Sequence, residues 1–287
     1  MRFGMLIDGE FVTETAAPRL ESTNPANLVA TGSVPVATAA EVDRAVHAAA
    51  RAQREWARRS VWERAAALRA LATAIRARGA EILQLEAADT GNTIGKLGAD
   101  VQIAAGYLEY FAGLASELKG ETIPATAQGL HFTLREPFGV VARIVPFNHP
   151  FMFATAHLAA PLMAGNAVVL KTPESSPLSG SVLGELCAAH LPRGLANVLH
   201  GPGLPTGDAL VRHSLVRRIG FTGSRATGLA IQRAAAEVGV KHVTLELGGN
   251  DPAIMLDDAD FDTMTPKIFG AAFANCGQVC MAIKRVY

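Results

Sequence analysis

The hydrophobic pattern of the chain changes character at about residue 119 and again near residue 140. From 40 to 118 the chain is rich in Ala, Leu, Arg and Glu, and apolar residues such as Ala65, Leu68, Ala72 and Ile75 recur at the helical spacing. Thr38-Ala-Ala-Glu41 and Ser60-Val-Trp-Glu63 match the capping box, in which a hydroxyl accepts from the first helical turn and the Glu reaches back. Two long helices are predicted after these caps, as scaffold. The segment before them, with Asn24-Pro25, Gly32 and Pro35, reads as polar and turn-rich. Between 119 and 136, Gly120, Pro124 and Gly129 precede the alternating run His131-Phe-Thr-Leu-Arg135, which suits a hairpin arm.

Beyond residue 140, short apolar runs at 140–145, 167–170, 196–199, 217–221, 242–245 and 253–256 read as strands. Helical stretches at 151–164, 177–190, 205–213 and 224–238 separate them. Such alternation predicts an α/β fold with a parallel sheet covered on both faces. Ligands in folds of this kind sit beyond the C-terminal strand ends. Those ends carry Pro146-Phe147-Asn148-His149-Pro150, Lys171-Thr172-Pro173-Glu174, Gly201-Pro202-Gly203, Thr222-Gly223-Ser224 and Glu246-Leu247-Gly248-Gly249.

Composition narrows the function classes. The chain has 287 residues, a length that suggests about two domains. Lys plus Arg and Asp plus Glu each number 26, so no charge imbalance favours nucleic acid or an anionic membrane. With 49% hydrophobic and 18% charged residues, the chain is expected to fold. Three cysteines, Cys187, Cys276 and Cys280, do not make a disulfide framework and suit the reducing cytoplasm. Asp8 interrupts the N-terminus before an apolar core of signal-peptide length has accumulated. The uncharged stretch 144–170 contains three prolines, two asparagines and two histidines, and reads as buried strand and helix rather than a bilayer span.

Several strand-end residues could carry chemistry. Cys280 is a candidate nucleophile presented by a turn at Gly277-Gln278, although a lone cysteine also serves as a small buried hydrophobe. Cys276, four residues earlier, could share a helix face with it, but a metal pair is not expected because structural zinc normally takes four ligands. Glu246 would end its strand partly desolvated, which raises a carboxyl group towards general-base range; the alternative is a solvated surface group. Asn148 could donate to an oxyanion or simply form a turn. Lys171 and Glu174 suit a phosphate and a ribose, or belong to the surface. Thr222-Gly223-Ser224 opens a helix whose free N–H groups favour a pyrophosphate, and Ser224 equally suits an N-cap. Gly201-Pro-Gly203 with Gly207 has the wrong spacing for a dinucleotide fingerprint.

From Pro146 onward the chain resembles the aldehyde dehydrogenase superfamily. Pro146-Phe-Asn-His-Pro150, Lys171-Thr-Pro-Glu174, Phe221-Thr-Gly-Ser224, Glu246-Leu-Gly-Gly249 and Gly277-Gln-Val-Cys280 occur in that family's order and approximate spacing. Phe147 stands where many members have Trp, and Thr172 where Pro is commoner. The resemblance implies a Rossmann-type cofactor domain over 1–118 and 137–248, an oligomerisation hairpin arm at 119–136, and the start of a catalytic domain at 249–287. It further implies that Cys280 attacks an aldehyde, Asn148 and the Cys280 N–H hold the oxyanion, and Glu246 activates water. Lys171, Glu174, Phe147, Thr222, Gly223, Ser224 and Leu247 would contact NAD, which is expected over NADP because Glu174 would repel a 2′-phosphate. His149, Phe153, Val279 and Met281 would flank the reacting centre and leave the aldehyde unspecified.

Family members continue far beyond the nucleophile and assemble as homodimers or homotetramers. The expectation is therefore an N-terminal piece of a longer enzyme, weakly active or inactive alone. Two other readings stand beside it: a non-catalytic NAD-binding or assembly fragment, and a nicotinamide-independent thiol acyl hydrolase. The second would need a histidine partner for Cys280.

Overall fold

The chain opens with a short hairpin that forms one edge of the main sheet. Strands β1 (Met5–Ile7) and β2 (Glu10–Val12) pair antiparallel across the two-residue loop Asp8-Gly9. Both loop residues have positive φ, 52° and 74°, the backbone that a tight primed hairpin turn requires. β1 is wholly buried. A second antiparallel pair, β3 (Leu20–Thr23) and β4 (Ala30–Val34), lies outside that sheet. The opening segment expected to be turn-rich thus contains four strands. The structure, a computed structural model, describes residues 3–124 and 127–287. Met1 and Arg2 of the expected cofactor domain, and Ala125 and Thr126 of the expected arm, lie outside the described residues.

Helices α1 (Ala39–Arg58) and α2 (Val61–Ala77) begin at the two capping boxes. The Glu41 carboxylate accepts from the Thr38 N–H at 2.9 Å and Glu63 from the Ser60 N–H at 2.8 Å. Ala65, Leu68, Ala72 and Ile75 are all fully buried, and the Trp56 indole donates to the Leu162 carbonyl at 2.8 Å. The scaffold then continues as α3 (Gly79–Thr90) and α4 (Ile94–Gly113), four helices where two were expected. Gly91 ends α3 with φ 74°, a left-handed cap open to glycine at little cost. Strands β5 (Thr122–Ile123) and β6 (His131–Phe132) pair antiparallel in the expected hairpin segment.

The α/β part follows as β7 (Val140–Ile144), α5 (Pro150–Met163), β8 (Ala167–Lys171), α6 (Leu178–His190), β9 (Ala196–Leu199), α7 (Asp208–Arg212), β10 (Val216–Gly223), α8 (Arg225–Val238) and β11 (His242–Leu247). The seven-stranded sheet runs β11-β10-β7-β8-β9-β1-β2, parallel from β11 to β9. From β7 the chain first adds strands on one side, then crosses back to add β10 and β11 on the other. The loops after β7 and β10 therefore splay apart, leaving a crevice at the switch point. Helices α1, α7 and α8 pack together, while α5 and α6 pack with α2 and α3.

The last segment forms its own small unit. Strands β12 (Asp251–Ala253) and β13 (Ile283–Val286) pair parallel on either side of α9 (Phe261–Ala272). Strand β12 lies two to three residues before the expected 253–256. Helix α9 buries no residue, and Phe261, Phe269 and Phe273 are exposed. No helix among the described residues is long and apolar enough to cross a membrane.

Candidate active site

A cleft of about 940 Å³ opens at the crevice between β7 and β10. The sheet brings to its walls Phe147 and Asn148 after β7, Lys171 at the end of β8 and Glu174 after it, Thr222 and Gly223 at the end of β10 and Ser224 after it, Leu247 at the end of β11, and Cys280. Glu246 is the sequence-predicted site residue that does not line it. Alternation along β11 is the reason: Leu245 and Leu247 approach Gly228 of α8, so Thr244 and Glu246 point to the opposite face. Glu246 is also solvent-exposed rather than desolvated. Its expected place in the cleft wall is not found.

The far end of the cleft carries charge and small residues. Lys171, only 4% exposed, is held down to about 8 by burial, opposed by the nearby Glu174 charge. Its Nζ donates to the Thr172 carbonyl at 3.0 Å, and Glu174 accepts from the Gly203 N–H at 3.2 Å. Ser224 is the N-cap of α8, its Oγ accepting from the Thr227 N–H at 3.2 Å. Gly207, Ala226, Ala230 and Ala234 keep the intervening wall shallow.

The near end is tied by four amides. Asn148 donates through Nδ2 to the Gln278 carbonyl at 2.7 Å, and its own carbonyl accepts from Nδ2 of both Asn92 and Asn275 at 2.8 Å. Gln278 reaches Asn92 Oδ1 at 3.4 Å. Asn92 and Asn275 are 3% and 4% exposed, so the bonds these two make are partly shielded from water, whereas the Asn148–Gln278 bond is exposed. The ring joins the loop after β7 to the cysteine loop across more than a hundred residues of sequence. Asn92 and Asn275 are site-building residues that the sequence reading did not single out.

The cysteine loop turns sharply. Asn275, Cys276 and Gly277 have φ of 48°, 58° and 78°, three successive left-handed residues, so Cys276 does not share a helix face with Cys280. Lys284 Nζ bonds the carbonyls of Val279, Cys280 and Ala282 at 2.9–3.2 Å, pinning the next turn. Cys280 and Cys276 are exposed; Cys187 is buried and its thiol is pushed up to about 12 by that burial, which leaves it inert. His149 stands just before α5 and bonds Asp100 at 2.7 Å, its ring edge-on to Phe153. No histidine lines the cleft among the described residues.

A family model for the aldehyde dehydrogenase family matches residues 11–287. The chain belongs to the aldehyde dehydrogenase family. It is 39% identical over 287 residues to the aldehyde dehydrogenase TropH of Talaromyces stipitatus, covering 99% of this chain and 55% of that protein. An aldehyde dehydrogenase from Bacillus cereus, solved as an NAD+ complex, superposes with TM-score 0.96 at 36% identity, over 100% of this chain and 59% of that one. An NADP-dependent enzyme from E. coli superposes with TM-score 0.96 at 34% identity, over 100% and 60%. The chain thus spans between half and two thirds of the length of these relatives.

Proposed function

We propose that the cleft binds NAD and that Cys280 captures an aldehyde at its near end for oxidation by that cofactor, as part of an aldehyde dehydrogenase. The observation that carries this reading is the joining of Cys280 to Asn148 through Gln278, at one end of a cleft that also holds Lys171, Glu174 and the α8 N-terminus. Its volume of about 940 Å³ suits a dinucleotide. The small side chains of α8 give the adenosine half room, the free N–H groups at Ser224 favour a pyrophosphate, and a buried Lys171 with donors to spare faces a ribose with Glu174. Phe147 and Leu247 would then flank the nicotinamide end.

The Cys280 thiolate adds to the carbonyl carbon, forming a C–S bond while the carbonyl π pair moves to oxygen. That oxygen lies between the Cys280 N–H and the second N–H of Asn148 Nδ2, the first being committed to Gln278. An aldehyde hydrogen leaves with its electron pair only once the carbon is tetrahedral and carries this negative charge. The bound nicotinamide supplies the two-electron acceptor for that hydride. Water then attacks the Cys280 thioester, and the C–S bond breaks to give the carboxylic acid, the thiolate and a proton lost to solvent; the Glu246 carboxylate, turned to the opposite face of β11, is not placed to take that proton directly.

Glu174 favours NAD over NADP in this account by placing a carboxylate where a 2′-phosphate would sit. Residues 1–118 and 137–248 carry the cofactor domain, 119–136 the arm through which copies assemble as homodimers or homotetramers, and 249–287 the start of the catalytic domain. Three free cysteines suit a reducing cytoplasm. A nicotinamide-independent thiol hydrolase is disfavoured because no histidine lines the cleft beside Cys280 among the described residues. The test is a first-turnover experiment: reduced nicotinamide appearing with a thioester on Cys280 supports the reading, and aldehyde oxidation at an undiminished rate in Cys280→Ser refutes it.

A further inference from the structure

Helix α1 turns Val42, Ala45, Val46 and Ala49 into the core, which leaves Asp43 and His47, one helical turn apart, on its outward face. His213, the residue that ends α7, reaches the same spot from 170 positions beyond Asp43. The Asp43 carboxylate stands between the two rings. Its Oδ2 is 3.2 Å from His47 Nδ1 and its Oδ1 is 3.2 Å from His213 Nε2. One donor atom from each of the three residues lies within 4.8 Å of the other two. Among the described residues no lysine or arginine pairs with Asp43, so the two imidazoles share it between them.

Two imidazole nitrogens and a carboxylate make a borderline-soft donor set of the kind that zinc takes, whereas calcium and magnesium prefer oxygen donors alone. Zinc bonds of about 2.0–2.1 Å at tetrahedral angles hold neighbouring donors about 3.3–3.4 Å apart. Both carboxylate-to-imidazole contacts already have nearly that spacing. The remaining gap, between the two rings, closes by rotation of His47, whose side chain is 50% exposed. His213 is held in place from behind: Lys241 Nζ and the Val216 N–H both donate to its carbonyl, at 2.6 and 3.1 Å.

We propose that Asp43, His47 and His213 form a zinc site that clamps α1 to the segment entering β10, with water completing the coordination. None of the three lines the cleft, and the site does not depend on the proposed function. Its proton balance is specific. A carboxylate only accepts, so without metal His47 carries its proton on Nδ1 and His213 on Nε2, while His213 Nδ1 accepts from the Leu215 N–H at 3.2 Å. Zinc on the two nitrogens facing Asp43 moves each proton to the other nitrogen of its ring. His47 Nε2–H then faces solvent, and His213 gives up the bond from Leu215, a residue 39% exposed whose N–H turns to water.

Calorimetric titration of the chelator-treated chain with zinc chloride tests the site without turnover. Wild type is expected to bind zinc, and a large excess of magnesium chloride is expected not to displace it. His47→Ala, at an exposed helix position, should weaken binding by at least about tenfold, the loss that even a residue behind a metal ligand produces, and Asp43→Ala should do the same. Zinc held at the exposed Cys276 and Cys280 instead would bind wild type and both variants alike; that result, an absence of binding, or displacement by magnesium overturns the proposal. In 15N-histidine-labelled protein, saturating zinc should move the His213 proton from Nε2 to Nδ1 and the His47 proton from Nδ1 to Nε2. Tautomers that stay unchanged in zinc-saturated protein overturn it as well.

Discussion

Removing the Glu174 carboxylate should invert the cofactor preference, and the size of the effect can be worked from its position. Glu174 is exposed at the cleft rim, its carboxylate accepting from the Gly203 N–H at 3.2 Å. A 2′-phosphate carries about 1.5 to 2 negative charges. Opposed at about 4 Å in a nearly aqueous dielectric, each charge pair costs about 1 kcal/mol, or about 2 kcal/mol in all. Glu174→Ala therefore gains about thirtyfold in NADPH affinity. The same change deprives NADH of hydrogen bonds to a charged acceptor, for which the lower end of the usual range, about 1.5 kcal/mol, suits an exposed group. NADH affinity falls about tenfold, and the ratio of the two dissociation constants moves by about three hundredfold. Fluorescence titration with each reduced nucleotide reads both constants without requiring catalysis. A ratio that changes by less than about threefold would refute the placement of a ribose at Glu174.

Two further predictions concern the frame of the site. Glu86 is buried beneath the start of α5, accepts from the Phe151 N–H at 3.3 Å, and is pushed up to about 8 chiefly by burial. Its native pKa lies above the unfolded one, so the native state holds the extra proton and stability falls as pH rises towards 8. Between pH 6.5 and 8, above the range where buried His157 and His200 act in the opposite sense, urea unfolding should lose about 1.4 kcal/mol per pH unit relative to Glu86→Gln; parallel profiles would contradict this. Asn92→Ala removes one shielded bond to the Asn148 carbonyl. It should cost about 1 kcal/mol in urea unfolding and slow thioester formation while leaving the NADH dissociation constant unchanged.

How much of this was legible from the sequence depends on how local each signal is. The capping boxes at Thr38 and Ser60 act within one helical turn, and both helices start there. Strand ends were readable because each apolar run is bounded by turn residues, and a parallel sheet necessarily lines those ends up along one edge. The Asp8-Gly9 turn after Met5-Leu6-Ile7 was a hairpin signal in plain view, but its pairing partner β9 lies almost two hundred residues away. The amide ring of Asn92, Asn148, Asn275 and Gln278 joins three distant segments, and no spacing within any one of them announces it. Glu246 was different. Its position between Leu245 and Leu247 already fixed that the carboxylate and the leucines face opposite sides, so parity alone could have placed it away from the cleft.

The claim that Cys280 and the cofactor cleft form one site is tested most directly by alkylating the protein with iodoacetamide, with and without saturating NAD, and following each cysteine by mass spectrometry. Cys276 and Cys280 are both exposed, and Cys280 lines the cleft, so Cys276 serves as the control within the same loop. Bound NAD is predicted to slow modification of Cys280 at least several-fold and to leave Cys276 unchanged. Identical rates at Cys280 with and without NAD, in protein shown to bind it, would contradict the account.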